Sequence, residues 1–270
     1  MFRYDAVSHF RTFGYVVLRG LLDEPETRTL THEVTTELTA AFGGLGTDDD
    51  PDHTGGIRGD HLPLTVDRAP LSQALMADDP RLCHGAAELL GIPVVPTPPV
   101  ATCFTSNADW HTDHGPALGG VRFLAHLAPR AAADGALRVI PGSHEPGFAA
   151  RLRAHRAADP AAQGFAGGPV PHVVVPTEPG DVIAFDAHLY HSSAGGRRRL
   201  AWTVDYLPWP GLADPERLRV TREFAAESAD HGDRYDVGRW PSWQEWLAGA
   251  PGVPSRMLAV QRLRLLGVLG

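Results

Sequence analysis

The sequence predicts one mainly β domain, with helices first and then a β-core of the sandwich or barrel type. Three observations carry that prediction. Between Pro93 and Tyr206, short apolar runs (PVATCF, VRFLAHL, ALRVI, HVVV, DVIAF, LAWTVDY) are separated by Gly, Pro and Asp, a spacing typical of sandwiches and barrels rather than of alternating βαβ units. Upstream, apolar residues recur with a helical period. The chain has 270 residues, 43% of them hydrophobic, enough for a substantial core. It shows no internal repeat and no clear linker. We therefore expect a single domain over 1–270, with a helical section at about 1–92, a β-core at about 93–207 and a C-terminal extension at 208–270.

Taken in order, FRTFGYVVLRGLL (10–22) contains a short β-branched run that suggests a strand. In DEPETRTLTHEVTTELTAAF, Asp23 can cap, Pro25 suits a first turn, and Leu30, Val34, Leu38 and Phe42 recur every four residues, which is an amphipathic helix. Residues 43–61 are rich in Gly and Asp with no apolar period, and read as an exposed loop. Its glycines would permit hinge motion, so the segment is also a candidate lid. A second helix runs from Asp79–Pro80 to a stop at Gly91. Residues 149–171 read as a helical and loop insertion between strands. Ser242-Trp-Gln-Glu245 is a capping box opening a short helix with Trp243 and Trp246.

Composition excludes several classes. Net charge is −8, so neither a nucleic-acid groove nor a membrane-surface patch is implied. Every basic residue is arginine and lysine is absent, which removes Schiff-base lysine chemistry and a Walker lysine. Cys83 and Cys103 are too few and too far apart for a thiolate zinc site and read as small hydrophobes. The N-terminus lacks a signal peptide's layout, and the longest apolar runs fall far short of the roughly 20 residues that cross a bilayer. We expect a cytoplasmic protein acting on a small-molecule substrate, with no nucleic-acid or membrane partner. Monomer and homodimer both stay open.

Among 14 histidines, chance alone supplies about one His-x-Asp. Two occur, His111-Thr-Asp113 and His231-Gly-Asp233. On a strand, residues two apart point to one side, so His111 and Asp113 can chelate one ion while Thr112 faces away. A third ligand completing a facial two-histidine, one-carboxylate set has candidates downstream in His188 and His191. His231 has no histidine after it and lies in a turn-like polar stretch, which reads as solvated loop.

Several blocks together resemble the phytanoyl-CoA dioxygenase family of Fe(II)/2-oxoglutarate oxygenases. These are FRTFGYVVLRGLLDEPETRTL, WHTDHG, DGALRVIPGSH and GDVIAFDAHLYHSSAGG, in order over about residues 10–206. The resemblance implies a double-stranded β-helix, the cupin-like jelly roll, flanked by N-terminal and C-terminal helices. It assigns His111, Asp113 and His191 as iron ligands, because His191 ends the apolar strand and is followed by Ser-Ser-Ala-Gly-Gly. His188 falls at a variable position, and His144 of PGSH at a structural one. The family places an arginine after the distal histidine to hold 2-oxoglutarate, and a guanidinium suits a carboxylate. Strand alternation groups Arg197 and Arg199 with the smaller residues Ala201, Thr203 and Asp205. Arg199 is chosen, with Arg197 as the competitor, and Ser193 matches a serine holding the same carboxylate. Phe104, His114, Arg122, Arg58 and His61 are candidates for bordering substrate, while Trp110 faces away from the metal into packing.

The implied activity consumes 2-oxoglutarate and O₂, releases succinate and CO₂, and most simply hydroxylates an unactivated C–H bond of a natural product or metabolite. Desaturation, cyclisation and epimerisation use the same ligands and stay open. Asp113 argues against halogenation. A jelly-roll binding protein without redox activity is the reading from another class; a zinc hydrolase is disfavoured because no separate general-base motif is present.

Overall fold

The computed structural model describes residues 2–45, 59–64, 67–105, 107–114, 118–148, 171–195, 198–229 and 252–267, with a few single positions between them. Arg58, Arg197, the His231/Asp233 pair, most of the 43–61 and 149–171 segments and the Ser242–Glu245 box lie outside the described residues.

The chain opens with a helix, α1 (Tyr4–Phe13), ahead of the strand that the sequence suggests within 10–22. Gly14, at φ 81°, ends it and turns the chain into β1 (Tyr15–Leu18). The turn needs glycine twice over, for its left-handed backbone and because a Cβ there would meet His144 and Leu189 at 2.6–2.7 Å. Helix α2 (Glu24–Phe42) begins as its sequence predicts: the Asp23 carboxylate accepts from the Glu26 N–H at 2.8 Å, and Glu26 accepts from the Asp23 N–H at 2.9 Å. Its buried face carries Leu30, Val34 and Leu38.

Strand β2 (Gly59–Pro63) follows, in part of the stretch expected to be loop. Then come α3 (Pro70–Ala77) and α4 (Pro80–Leu90), the latter starting at the Asp79 cap and stopping at Gly91 as expected. The β-core comprises β3 (Val94–Pro96), β4 (Val100–Phe104), β5 (Ala108–His111), β6 (Val121–His126), β7 (Asp134–Val139), β8 (Val173–Val175), β9 (Val182–Asp186), β10 (His191–Gly195) and β11 (Arg199–Pro208). Two further helices, α5 (Pro215–Ala229) and α6 (Pro254–Leu265), follow it.

Among the described residues, the strand pairings are all antiparallel and form two sheets. The larger has seven strands in the order β1-β9-β6-β11-β4-β2, with β3 also on β11; the smaller runs β5-β10-β7-β8. Two antiparallel sheets facing one another, flanked by helices, are a jelly roll. The large sheet's outer face packs the main core, in which Trp202, Phe123, Tyr206 and Val204 meet Leu30, Val34, Leu38, Leu75 and Leu82 from the helices. Its inner face joins Leu124, Ile183, Phe185 and Ala201 to Leu137, Val139 and Val175 of the small sheet. Helix α6 closes the assembly through buried Ala259, Val260 and Leu263, with Arg262 donating to the Val94 carbonyl at 2.7 Å. Among the described residues no helix is long and apolar enough to cross a membrane. Neither cysteine is in a disulfide; Cys103 is fully buried and Cys83 partly so.

Candidate metal centre

Alternation along the sheets decides which side chains face the space between them. On β11, Arg199, Ala201, Thr203 and Asp205 line a cavity of about 310 Å³, while Trp202 and Tyr206 pack behind. The register pairs Ala201 with His126, Thr203 with Leu124 and Asp205 with Arg122, and all three β6 residues face the same cavity. From the small sheet come His111, Ser193 and His191.

His111 ends β5, His191 begins β10, and the two are direct register partners with ring centroids 4.2 Å apart. Asp113 follows β5 with its N–H bonded to the Ala187 carbonyl at 3.0 Å. Its Oδ1 lies 3.7 Å from His111 Nε2 and 3.6 Å from His191 Nε2. One ligand atom from each of the three residues falls within 4.8 Å of the others. Each imidazole is oriented by its own strand: His111 Nδ1 donates to the Asp109 carbonyl at 2.6 Å, and His191 Nδ1 to the Leu189 carbonyl at 2.9 Å. A carbonyl only accepts, so both Nδ1 atoms carry the proton and both Nε2 lone pairs face Asp113. Burial lowers the His191 pKa to about 4, keeping the ring neutral at physiological pH. Burial alone would raise the Asp113 carboxyl; Arg122 and the nearby histidines pull it below its ordinary value. Two imidazoles and a carboxylate, aimed at one point, form a donor set suited to a divalent transition metal with open positions.

At the other end of the cavity, Arg199 is buried, donates to the Gly195 carbonyl at 3.1 Å and lies 5.7 Å from the Phe104 ring centroid. Burial, then the Arg130 charge, lowers its pKa to about 10. The cost of burying that cation falls when a carboxylate enters. Ser193 is buried and lines the same cavity.

The structure brings Phe104 and His61 together on that wall, edge to face at 5.0 Å, with His61 on edge strand β2. Arg122 also lines the cavity but is engaged by two carboxylates, Asp113 at 3.0 Å and Asp205 at 2.7 Å. Substrate bordering is thus not its first contact. His114 departs from expectation: it is buried, its ring lies against Gly120, and it is not among the cavity-lining residues. The backbone turns after Asp113, where the His114 N–H bonds Ala187, so strand alternation does not extend to it. Trp110 packs with Ile140 and Tyr190, and His144 Nε2 lies 3.2 Å from the Arg11 carbonyl, both structural positions as expected. His188 stands beside Asp186 at 3.6 Å and away from the metal donors. Asp205, which alternation groups with Arg199, lines the cavity, and so do Thr97, Thr102 and His126, which the sequence reading does not single out. Alternation from Arg122 to His126 is the signal that finds the last of these.

Residues 10–199 match the family model described as phytanoyl-CoA dioxygenase (PhyH). Among curated proteins no significant match is found. Among solved structures, AviO1 from Streptomyces viridochromogenes Tue57 is 25% identical with a TM-score of 0.57, covering 78% of this chain and 96% of that one. The non-heme alpha ketoglutarate dependent carbocyclase SnoK from nogalamycin biosynthesis is 20% identical with a TM-score of 0.58, covering 80% and 89%. HygX from Streptomyces hygroscopicus, crystallised with nickel and 2-oxoglutarate, is 18% identical with a TM-score of 0.57, covering 77% and 88%.

Proposed function

Because the chain belongs to the phytanoyl-CoA dioxygenase family, whose model spans residues 10–199, and is thus a 2-oxoglutarate-dependent oxygenase using Fe(II), we propose that it hydroxylates an unactivated C–H bond of a small molecule. We assign His111, Asp113 and His191 as the iron ligands, and Arg199 with Ser193 as the holders of the 2-oxoglutarate distal carboxylate. The observation that carries the assignment is the convergence of both Nε2 atoms on Asp113 Oδ1 at 3.6–3.7 Å.

When bound, the iron supplies O₂ activation coupled to oxidative decarboxylation of 2-oxoglutarate to succinate and CO₂. The chain's own residues do the positioning. Asp109 and Leu189 carbonyls hold the imidazoles in the ligating tautomer. Arg199 sets where the co-substrate ends, and its planar fork suits a carboxylate better than a point charge. Pro63, Pro98, Val100, Leu124 and Phe185 give the cavity an apolar wall, which limits water around the reacting carbon. A carbocyclase among the structural neighbours keeps cyclisation as the second reading, and product analysis separates the two.

Each of His111→Ala, Asp113→Ala and His191→Ala is expected to abolish succinate release and 1:1 Fe(II) binding. His188→Ala should keep both. Retention of iron and activity in His191→Ala, with loss of both in His188→Ala, would overturn the ligand assignment.

A further inference from the structure

One guanidinium joins the metal carboxylate to the opposite sheet. Arg122 sits on β6 directly opposite Asp205 on β11. Its Nε and Nη2 each donate to a separate Asp205 oxygen at 2.7 Å. That fork leaves Nη1, which stands 3.0 Å from Asp113 Oδ2. Meanwhile Asp113 Oδ1 faces the two imidazoles. The two carboxylate oxygens of Asp113 thus have different neighbours, one the metal donors and the other a cation from across the cavity.

We propose that Arg122, clamped by Asp205, is a positioning residue that keeps Asp113 a one-oxygen metal ligand and moderates how tightly the site grips its metal. This rests on reading His111, Asp113 and His191 as the ligands. A carboxylate free to turn can offer both oxygens to a metal and take a coordination position that co-substrate or O₂ needs. The Nη1 cation, fixed by Asp205 at 3.0 Å from Oδ2, opposes that turn by ionic attraction. Only arginine has the geometry, because two of its nitrogens are spent on Asp205 while a third reaches Asp113; a lysine ammonium has no such fork.

The charges then predict opposite signs for two neighbouring substitutions. Removing Arg122 leaves Asp113 and Asp205 both uncompensated beside the site, so a divalent cation is held more tightly. Neutralising Asp205 leaves the guanidinium charge to Asp113 alone, so the cation is held more weakly. A partner charge within a few ångströms alters a carboxylate's affinity for a cation by about tenfold or more. A packing role for this pair would instead weaken metal binding in both variants.

The test is calorimetric titration of the metal-free protein with Mn(II), for wild type, R122M, R122K and D205N, with circular dichroism to verify folding. Wild type should bind one Mn(II). R122M should bind about tenfold tighter and D205N about tenfold weaker. R122K, which keeps the charge without the fork, should stay near wild type. Both Arg122 variants should consume 2-oxoglutarate more slowly despite intact metal binding. Weaker or unchanged binding in folded R122M overturns the clamp. Should R122M not fold, D205N decides, and unchanged or tighter binding there overturns it. A wild type that takes up no Mn(II) overturns the metal assignment itself, and the clamp with it.

Discussion

Arg199 and Arg198 are chain neighbours with opposite fates, which makes them an internal control. Arg199 opens β11 on its cavity face and is buried, whereas Arg198 is exposed with its backbone in the left-handed region at φ 47°. The Arg198 carbonyl accepts from Arg130 at 3.0 Å. A charge-assisted bond to a carboxylate contributes about 1.5–3 kcal/mol. Arg199→Ala should therefore raise the KM for 2-oxoglutarate by about 10- to 150-fold, while Arg198→Ala leaves it near wild type. Steady-state titration of 2-oxoglutarate against both variants checks this, and equal effects would mean that β11 alternation does not select the carboxylate's partner.

At the scale of elements, the parts readable from sequence are those whose signals are local. Helix α2 announces itself through Asp23, Pro25 and the Leu30–Val34–Leu38 stripe, and Glu26 completes a capping box with Asp23. The GALRVIPGSH block and the Trp110–His111 end of β5 lie on strands and turns whose alternation is visible in the chain. Helix α1 was missed because its N-cap, Arg3, makes no side-chain capping bond, so nothing in the chain marks its start. Strand β2 was missed because GDHLP has no β-branched residue; it is a strand because β4 offers an edge to pair with. Helix α3 shows the same non-locality. Its N-cap is Ala69, which has no side chain able to cap. The cap comes instead from Glu33 on α2, whose buried carboxylate accepts from the Leu71 N–H at 2.8 Å, the Ser72 N–H at 2.9 Å and the Ser72 hydroxyl at 2.8 Å. Losing those acceptors strands two helix-start donors, at a cost of about 1.5–3 kcal/mol. Glu33→Ala should lower the urea midpoint accordingly, with Glu33→Gln intermediate. An unchanged midpoint in both would show that solvent satisfies the start of α3.

Over the whole molecule, the two sheets enclose histidines that must stay neutral, and this links fold stability to pH. His191 comes from the small sheet and His126 from the large one. His126 is buried with Nδ1 at 2.9 Å from the Thr177 hydroxyl, and burial, then Arg130 and Arg199, lower its pKa to about 3. Burial lowers His191 to about 4. An unfolded histidine titrates near 6.5. Above that value neither state is protonated, and these groups leave stability independent of pH. As pH falls below about 6.5, the unfolded chain takes up protons that the folded one refuses, so stability drops by about 1.4 kcal/mol per unit for each group. These two groups alone contribute a slope of about 2.7 kcal/mol per unit down to about pH 4, and His114, also lowered by burial, adds to it. Over that window the loss approaches the whole stability of an ordinary domain, about 5–15 kcal/mol. The metal-free protein is therefore expected to lose most of its stability by about pH 4, before depressed carboxylates such as Asp113 begin to protonate. His126→Gln removes one titrating group and leaves the metal donors in place, so it should reduce the slope of unfolding free energy against pH by about 1.4 kcal/mol per unit between pH 4 and 6. Urea unfolding at half-unit pH steps measures both slopes, and a wild-type curve flat across that window would mean that the cavity admits protons to these rings without unfolding.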